Sequence, residues 1–286
     1  METQTYTYKY PHPAVTTDCV VFGLDGPQLD ILLIERGGEP YKGCWAFPGG
    51  FMNIDETAEQ GAERELYEET GLKLKYLKQF GTFTAVNRDP RERVITIAYY
   101  TLTHKSNVKG SDDAAKAQWF PLDQIPPLAF DHDEILQKAI EQLKKDFHCE
   151  DIAMIPNQIQ RRITPKTITH LEKNEIFVFG SNLAGAHGGG AAWTAYKQFG
   201  AIMGQGVGLQ GQSYGIPTMH GGPKEILPYV EEFIEFAKHH PELTFLVTRI
   251  GCGIAGFTTQ EIAPLFIGAI EVENIYLPND FWAELI

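Results

Sequence analysis

The sequence predicts an α/β protein of two units, an α+β sandwich followed by a smaller three-layer α/β domain. Three observations carry that expectation. The chain has 286 residues, more than one average domain holds, so two units of ordinary size are expected. Hydrophobic residues make up 43% and charged residues 21%, the composition of material that buries ordinary cores. The first half runs through β-rich segments around one strong helix, whereas the second alternates short strands, glycine loops and helices. Boundaries are placed at 1–148 for the first domain, 149–172 for a linker or domain-packing segment, and 173–286 for the second.

The elements follow in order. Ala14 to Gly23 and Leu29 to Ile34 are valine-, threonine- and leucine-rich runs that read as strands of one sheet. After the turn Trp45-Ala46-Phe47-Pro48-Gly49-Gly50, the stretch Thr57-Ala58-Glu59-Gln60 has the capping-box arrangement that starts a helix, and Gly71 is placed to end it. Phe80 to Thr103 reads as strand, loop and strand, Ala117 to Leu122 as a further apolar stretch, and Asp131 to Phe147 has helical periodicity. Polar residues, two prolines and Arg161-Arg162 break the pattern before Lys173. Beyond it, Ile176 to Phe179 and Leu243 to Ile250 read as strands, each followed by a glycine loop. Ile226 to His239 is an amphipathic helix between them, and Thr258-Thr259-Gln260-Glu261 caps another.

Charge and cysteine usage narrow the function. A formal net charge of -13 repels nucleic-acid phosphates and anionic lipid, and no basic run offsets it, so neither nucleic acid nor a membrane is expected as a partner. An acidic protein that handles an anionic small molecule must bring metal ions or a few placed arginines to it. Cys19, Cys44, Cys149 and Cys252 are scattered without zinc spacing and read as free thiols. The N-terminal stretch lacks an apolar targeting segment, so a cytoplasmic location is expected. A homodimer is compatible with the polar leader at residues 1 to 13.

The informative stretch runs from Gly50 to Leu72. Glu65, Glu68 and Glu69 stand at i, i+3 and i+4, which puts their side chains on one helix face. Three carboxylates that close repel one another in water but suit a hard cation such as Mg²⁺ or Mn²⁺. A bare ExxEE is more often a solvated face. Here Gly50, Glu56, Arg64-Glu65-Leu66, Glu68-Glu69, Gly71 and Leu72 match the Nudix box in full. Chance would supply so many fixed identities on the order of once in a million sequences of this length. The first half therefore resembles the Nudix hydrolases. The resemblance implies Glu65, Glu68 and Glu69 as metal ligands, the Gly49 carbonyl as a backbone ligand, and Arg64 and Glu56 as residues that orient the carboxylates. It also implies attack of a metal-activated water on a nucleoside diphosphate linked to a further group. The general base varies between branches of the family. Asp112 and Asp113 are candidates, although Gly110-Ser111-Asp112-Asp113 is also an ordinary turn.

The flanks address the substrate. Asn87-Arg88-Asp89-Pro90-Arg91-Glu92-Arg93, with Pro126-Pro127-Leu128-Ala129-Phe130-Asp131-His132, resembles the ADP-ribose pyrophosphatase branch and its ADP-ribose-binding regulators. Arg88, Arg91 and Arg93 could give guanidinium donors to a diphosphate, against the alternative of a charged hairpin tip. In the second half, Gly180-Ser181-Asn182 with His187-Gly188-Gly189-Gly190, and Gly251-Cys252-Gly253-Ile254-Ala255-Gly256, each place glycines between a strand and a helix start, a setting for binding anions. The pair resembles the macro-domain group. That resemblance implies that Asn182 meets a distal ribose and that Gly188, Gly189, Gly190, Gly251, Gly253, Ile254 and Ala255 clasp a diphosphate. A lone loop histidine such as His187 is more often structural than an acid/base. An ADP-ribose pyrophosphatase carrying a second ADP-ribose-binding domain is the reading favoured. An ADP-ribose sensor without turnover, or a Nudix hydrolase of another nucleotide, is the alternative.

Overall fold

The computed structural model describes residues 7–74, 76–110 and 114–286, the side chains of 114 and 115 excepted. The chain divides into a first compact unit ending at Leu143 and a second beginning at Lys144.

In the first unit, the valine- and threonine-rich run forms β1 (Ala14–Asp25), whose residues from Thr16 to Leu24 are all buried, as a central strand requires. Gly26, at φ 58, turns the chain into β2 (Gln28–Arg36), which pairs antiparallel with β1. Two short strands follow, β3 (Trp45–Ala46) on β2 and β4 (Gly49–Phe51) on β1. Next comes α1 (Ala58–Thr70), then β5 (Lys78–Phe83), β6 (Val94–His104) and β7 (Ala114–Pro121). β6 lies parallel to β1 from Ala14↔Val94 to Leu24↔His104, β5 pairs antiparallel with β6, and β7 with β2. The division between units falls within α2 (His132–Asp146).

The capping box expected at Thr57 is present: its hydroxyl accepts the Gln60 N–H, and the Gln60 side chain accepts the Thr57 N–H. Gly71 ends α1 at φ 76, a conformation in which a β-carbon is strained. Ala62 and Leu66 face inward from α1 onto Cys19, Val21 and Leu32 of the sheet. Burying a leucine side chain such as Leu66 contributes about 2 kcal/mol. That orientation leaves the helix's acidic face pointing away from this core.

The second unit carries α3 (Ile155–Arg161), β8 (Glu175–Ser181), α4 (Gly190–Gln198), β9 (Gly208–Gln210), β10 (Ser213–Pro217), α5 (Pro223–His239), β11 (Thr244–Val247), α6 (Thr259–Ile262), β12 (Ile275–Tyr276) and α7 (Asn279–Leu285). The sheet order is β12-β11-β8-β10-β9. β10 and β11 lie parallel to β8 on its two sides, and β12 extends the sheet beyond β11. The chain thus moves to one side of β8 and then crosses to the other. The reversal falls between β8 and β11, and crevices form at the carboxyl ends of strands at such a switch.

Two expectations need correction. The second unit is not the smaller one, because it incorporates the segment 149–172, which was read as a linker or packing element. Arg162 is the reason. It is buried, donates from Nε to the Ile275 carbonyl at 3.2 Å and from Nη1 to that of Ile270 at 2.9 Å, and its Nη2 reaches the carbonyls of Ala269 and Val272, both at 2.8 Å. Burial pulls its pKa down to about 10. The glycine-rich run that forms β9 and β10 was not read as strand at all. All four cysteines are free thiols. Among the described residues, no helix is long and apolar enough to cross a membrane.

Candidate functional site

The acidic face of α1 lines a cleft of about 440 Å³ in the first unit. β4 forms its floor, and Gly50 lies so close to Glu65 that a β-carbon there would stand 2.5 Å from the Glu65 carboxylate oxygen. Glu69 Oε2 accepts the Gly49 N–H at 2.9 Å. Arg64 is the hub of the charged network. Its Nη1 donates to Glu65 Oε1 at 2.8 Å and to Glu68 Oε2 at 3.0 Å, while Nε and Nη2 grip both oxygens of Glu56 at 3.0 and 2.7 Å. Arg64 thus contacts Glu56, Glu65 and Glu68 at once.

These contacts divide the carboxyls electrostatically. Arg64's hydrogen bonds hold Glu56 down at about 2. Burial pushes Glu65 up despite Arg64, and burial together with the nearby Glu65 and Asp18 charges pushes Glu69 up to about 8. Asp18, on β1 opposite Gly49, is raised to about 6, chiefly by burial. His132 is fully enclosed and driven down to about 3 by burial. Its Nδ1 accepts the Phe47 N–H at 3.0 Å, so the neutral ring carries its proton on Nε2, 3.8 Å from Asp18 Oδ1. Glu65 and Glu69 are half-buried oxygen donors, Glu65 bonded by Arg64 and Glu69 by the Gly49 N–H, a donor set that fits a hard divalent cation. Among the described residues, no three acidic, histidine or cysteine side chains are drawn together around one point. Glu65 and Glu68 turn to Arg64, and Glu69 turns to Gly49.

The arginines of the β5–β6 loop separate into three roles. Arg88 is buried and spends three of its N–H groups on Asp131 and Thr96: Nε to Asp131 Oδ2 at 2.9 Å, Nη2 to Oδ1 at 2.7 Å, and Nη1 to the Thr96 hydroxyl at 2.6 Å. It lines the cleft but mainly ties the loop down. Arg91 also lines the cleft, held by Asp89 through bonds of 2.7 to 3.2 Å. Arg93 does not line it. Its guanidinium donates to the Thr84, Ala85 and Val94 carbonyls and pins the hairpin, so its expected place against substrate is corrected. Asp112 and Asp113 lie outside the described residues.

Several cleft residues were missed: Asp18, Arg36, Phe51, Phe130 and His132. Phe130 stands at φ 55 and Tyr41 at φ 65. A left-handed conformation costs a residue with a β-carbon about 1–2 kcal/mol, which their surroundings must offset. Their rings meet at 4.8 Å, edge to face.

In the second unit Asn182, Gly188, Gly189, Gly190, Gly251, Gly253, Ile254 and Ala255 line one cleft of about 390 Å³, at the carboxyl ends of β8 and β11. The N-terminus of α4 opens there at Gly190. Arg249 is the only ionisable residue among those lining it, and its Nε bonds Asp280 at 2.6 Å. Asn182 is turned to the loop. Its Oδ1 accepts from the Ala186 N–H at 3.1 Å, and its Nδ2 donates to the Ala186 carbonyl at 2.9 Å. His187 is buried outside the cleft, with Nε2 3.0 Å from the Ile202 carbonyl.

The mixed α/β fold of the first unit thus turns Glu65 and Glu69 of α1 into a cleft beside the guanidinium groups of Arg36, Arg64, Arg88 and Arg91. The chain belongs to the Nudix family, and residues 12–142 match the NUDIX domain. It is 42% identical over 128 residues to the ADP-ribose pyrophosphatase of Methanocaldococcus jannaschii, covering 45% of this chain and 73% of that protein. It is 34% identical over 181 residues to the ADPR responsive transcriptional repressor NtrR of Acinetobacter baylyi, covering 61% of this chain and 70% of the relative. The NUDIX domain of Shewanella oneidensis NrtR, solved complexed with ADP ribose, is 33% identical at a TM-score of 0.46, covering 48% of this chain and 94% of that one. The protein is a Nudix-type pyrophosphohydrolase. NrtR has also been solved complexed with a 27mer DNA. Because the Acinetobacter baylyi relative is a transcriptional repressor, the exclusion of nucleic acid drawn from net charge is not retained.

Proposed function

We propose that the first unit hydrolyses the diphosphate bond of ADP-ribose, or of a related nucleoside diphosphate derivative, to AMP and ribose 5-phosphate. The observation that carries this reading is the pair of half-buried carboxyls Glu65 and Glu69, which line one cleft that also presents Arg36 and Arg91. Glu65, Glu68, Glu69 and the Gly49 carbonyl would hold Mg²⁺ or Mn²⁺. Such an ion, when bound, polarises the diphosphate and lowers the pKa of an attacking water. Arg64 positions Glu65 and Glu68, and Glu56 fixes Arg64 in turn. Arg36 and Arg91 offer positive charge to the diphosphate, while Arg88 and Asp131 keep the loop that presents Arg91 in place.

The second unit, with 173–286 as its nucleotide-binding part and 149–172 packed into it, is read as a macro-like domain that binds ADP-ribose. Supporting this are the glycine loops at the switch point and the helix N-terminus that faces the cleft. With Arg249 as its only ionisable lining residue, the cleft is better suited to holding a ligand than to acid/base chemistry on one.

A second reading, an ADP-ribose sensor without turnover, is favoured by the engagement of Glu65 and Glu68 with Arg64. AMP release from ADP-ribose with Mg²⁺, in the intact chain and in Glu69→Gln, separates the two. Release lost in the variant supports hydrolysis. Binding without release in the intact chain supports the sensor.

A further inference from the structure

At the mouth of the first cleft, aromatic rings and guanidinium groups alternate. The Arg91 Cζ lies 5.1 Å from the centre of the Phe51 ring and 5.8 Å from that of Phe130. The Arg36 Cζ lies 4.7 Å from the Phe130 centre on its own approach. Tyr41 closes the row, its ring 4.8 Å from Phe130. The sequence is ring, cation, ring, cation, with a second ring buttressing the inner one.

Each member is fixed independently. Asp89 grips Arg91, and Arg36 donates from Nε to the Pro40 carbonyl at 2.9 Å. Tyr41 and Phe130, both held at positive φ, owe their place to the contacts they make rather than to backbone preference. Phe51 ends the row, lines the cleft and is 39% exposed. A large half-exposed ring on a cation-flanked cleft is not explained by packing. Its main chain also joins it to the carboxylates: the Phe51 carbonyl accepts from Arg64 Nη2 at 3.0 Å, and neighbouring Gly50 lies against Glu65.

From this arrangement we infer that Phe51 is the nucleobase platform of the cleft, and that Arg91, between the Phe51 and Phe130 rings, and Arg36, on Phe130, are held ready for the diphosphate that follows the base. This rests on the hydrolase reading above and adds how its substrate is selected. A base on Phe51 places its 5′ diphosphate towards Gly50 and Glu65, one residue along the chain. Stacking tolerates any flat base, because every base has a π face. The platform therefore demands a base but discriminates weakly between adenine and hypoxanthine.

The test is steady-state hydrolysis of ADP-ribose and of its deaminated counterpart, IDP-ribose, by the intact chain, Phe51→Ala and Phe51→Trp. Phe51→Ala is expected to raise KM about tenfold or more with kcat within about threefold, and Phe51→Trp to restore KM. The two substrates are expected to differ in kcat/KM by less than about tenfold. An unchanged KM in Phe51→Ala, or a larger preference for adenine, overturns the inference. If the intact chain does not hydrolyse ADP-ribose, the hydrolase reading fails, and calorimetric titration with AMP then decides the platform separately. An AMP site weakened about tenfold in Phe51→Ala and recovered in Phe51→Trp upholds it; identical AMP binding in all three chains overturns it.

Discussion

Arg64 and Glu56 face each other through two parallel bonds, Nε to Oε2 at 3.0 Å and Nη2 to Oε1 at 2.7 Å, so the plane of the guanidinium is fixed before it touches any other carboxylate. Lysine carries the same charge but cannot form that fork. Arg64→Lys is therefore expected to lower kcat for ADP-ribose by about 10²-fold, since misplacing Glu65 and Glu68 costs positioning rather than affinity. The melting temperature should move by only a few degrees. A kinetic series alongside thermal melting checks both.

Glu69→Gln should lower AMP release by at least about 10²-fold, and it has a second signature in the absence of metal. The folded-state pKa of Glu69 is raised from 4.5 to about 8. A raised acid adds to stability while it holds its proton, fully below 4.5, and that contribution drains away as pH climbs towards 8. His132 acts oppositely: lowered from 6.5 to about 3, it adds stability above 6.5 that is lost as pH falls. Metal-free protein should therefore lose stability from about pH 6.5 to about pH 8, and Glu69→Gln should flatten that decline. Urea midpoints across the range read the slope directly.

A cation that binds only the folded form stabilises it by mass action. At about 100 times its dissociation constant the gain is roughly 2.7 kcal/mol. Mg²⁺ or Mn²⁺ is expected to raise the melting temperature of the intact chain by several degrees and that of Glu69→Gln hardly at all. Chelator should abolish AMP release.

Arg162→Met keeps the bulk of the side chain but removes the guanidinium from four carbonyls; those of Ala269 and Val272 keep a backbone N–H, whereas those of Ile270 and Ile275 lose the Arg162 donor. Each unmet group costs about 1–3 kcal/mol, partly relieved by water. A loss of roughly 3–5 kcal/mol in the stability of the second unit is expected. Fluorescence of Trp282, which stacks on Arg162 at 5.1 Å, follows that unfolding.

At Gly188 a β-carbon would meet nothing within 4 Å, and its φ is not left-handed. Gly188→Ala should thus be tolerated, whereas Gly188→Glu puts a carboxylate into the glycine cleft. If that cleft holds a phosphorylated ligand, calorimetry should show affinity for ADP-ribose in the second unit falling by more than about tenfold for the glutamate and little for the alanine.

The carboxylate helix was legible in the sequence because its chemistry imposes a spacing on consecutive turns, and its capping residues and end at Gly71 follow from local rules. Asp18 and His132 were not. They come together only because β4 folds back on β1 and α2 begins beside Phe47, contacts that leave no trace in neighbouring residues. Arg88 was left between a donor to substrate and a charged hairpin tip, because its partner Asp131 is 43 positions away. Arg162 sat in a polar stretch that looked like a linker, and nothing local announces that four carbonyls converge on it. The glycine loops of the second unit line one cleft, since parallel strands bring successive loops to one edge.

Gly50 contributes no functional group, yet the missing methyl is what lets the Glu65 carboxylate lie against the chain. An inventory of charges would not register its loss. A descendant with alanine here would retain every glutamate and arginine of the box and still have its Glu65 carboxylate pushed aside.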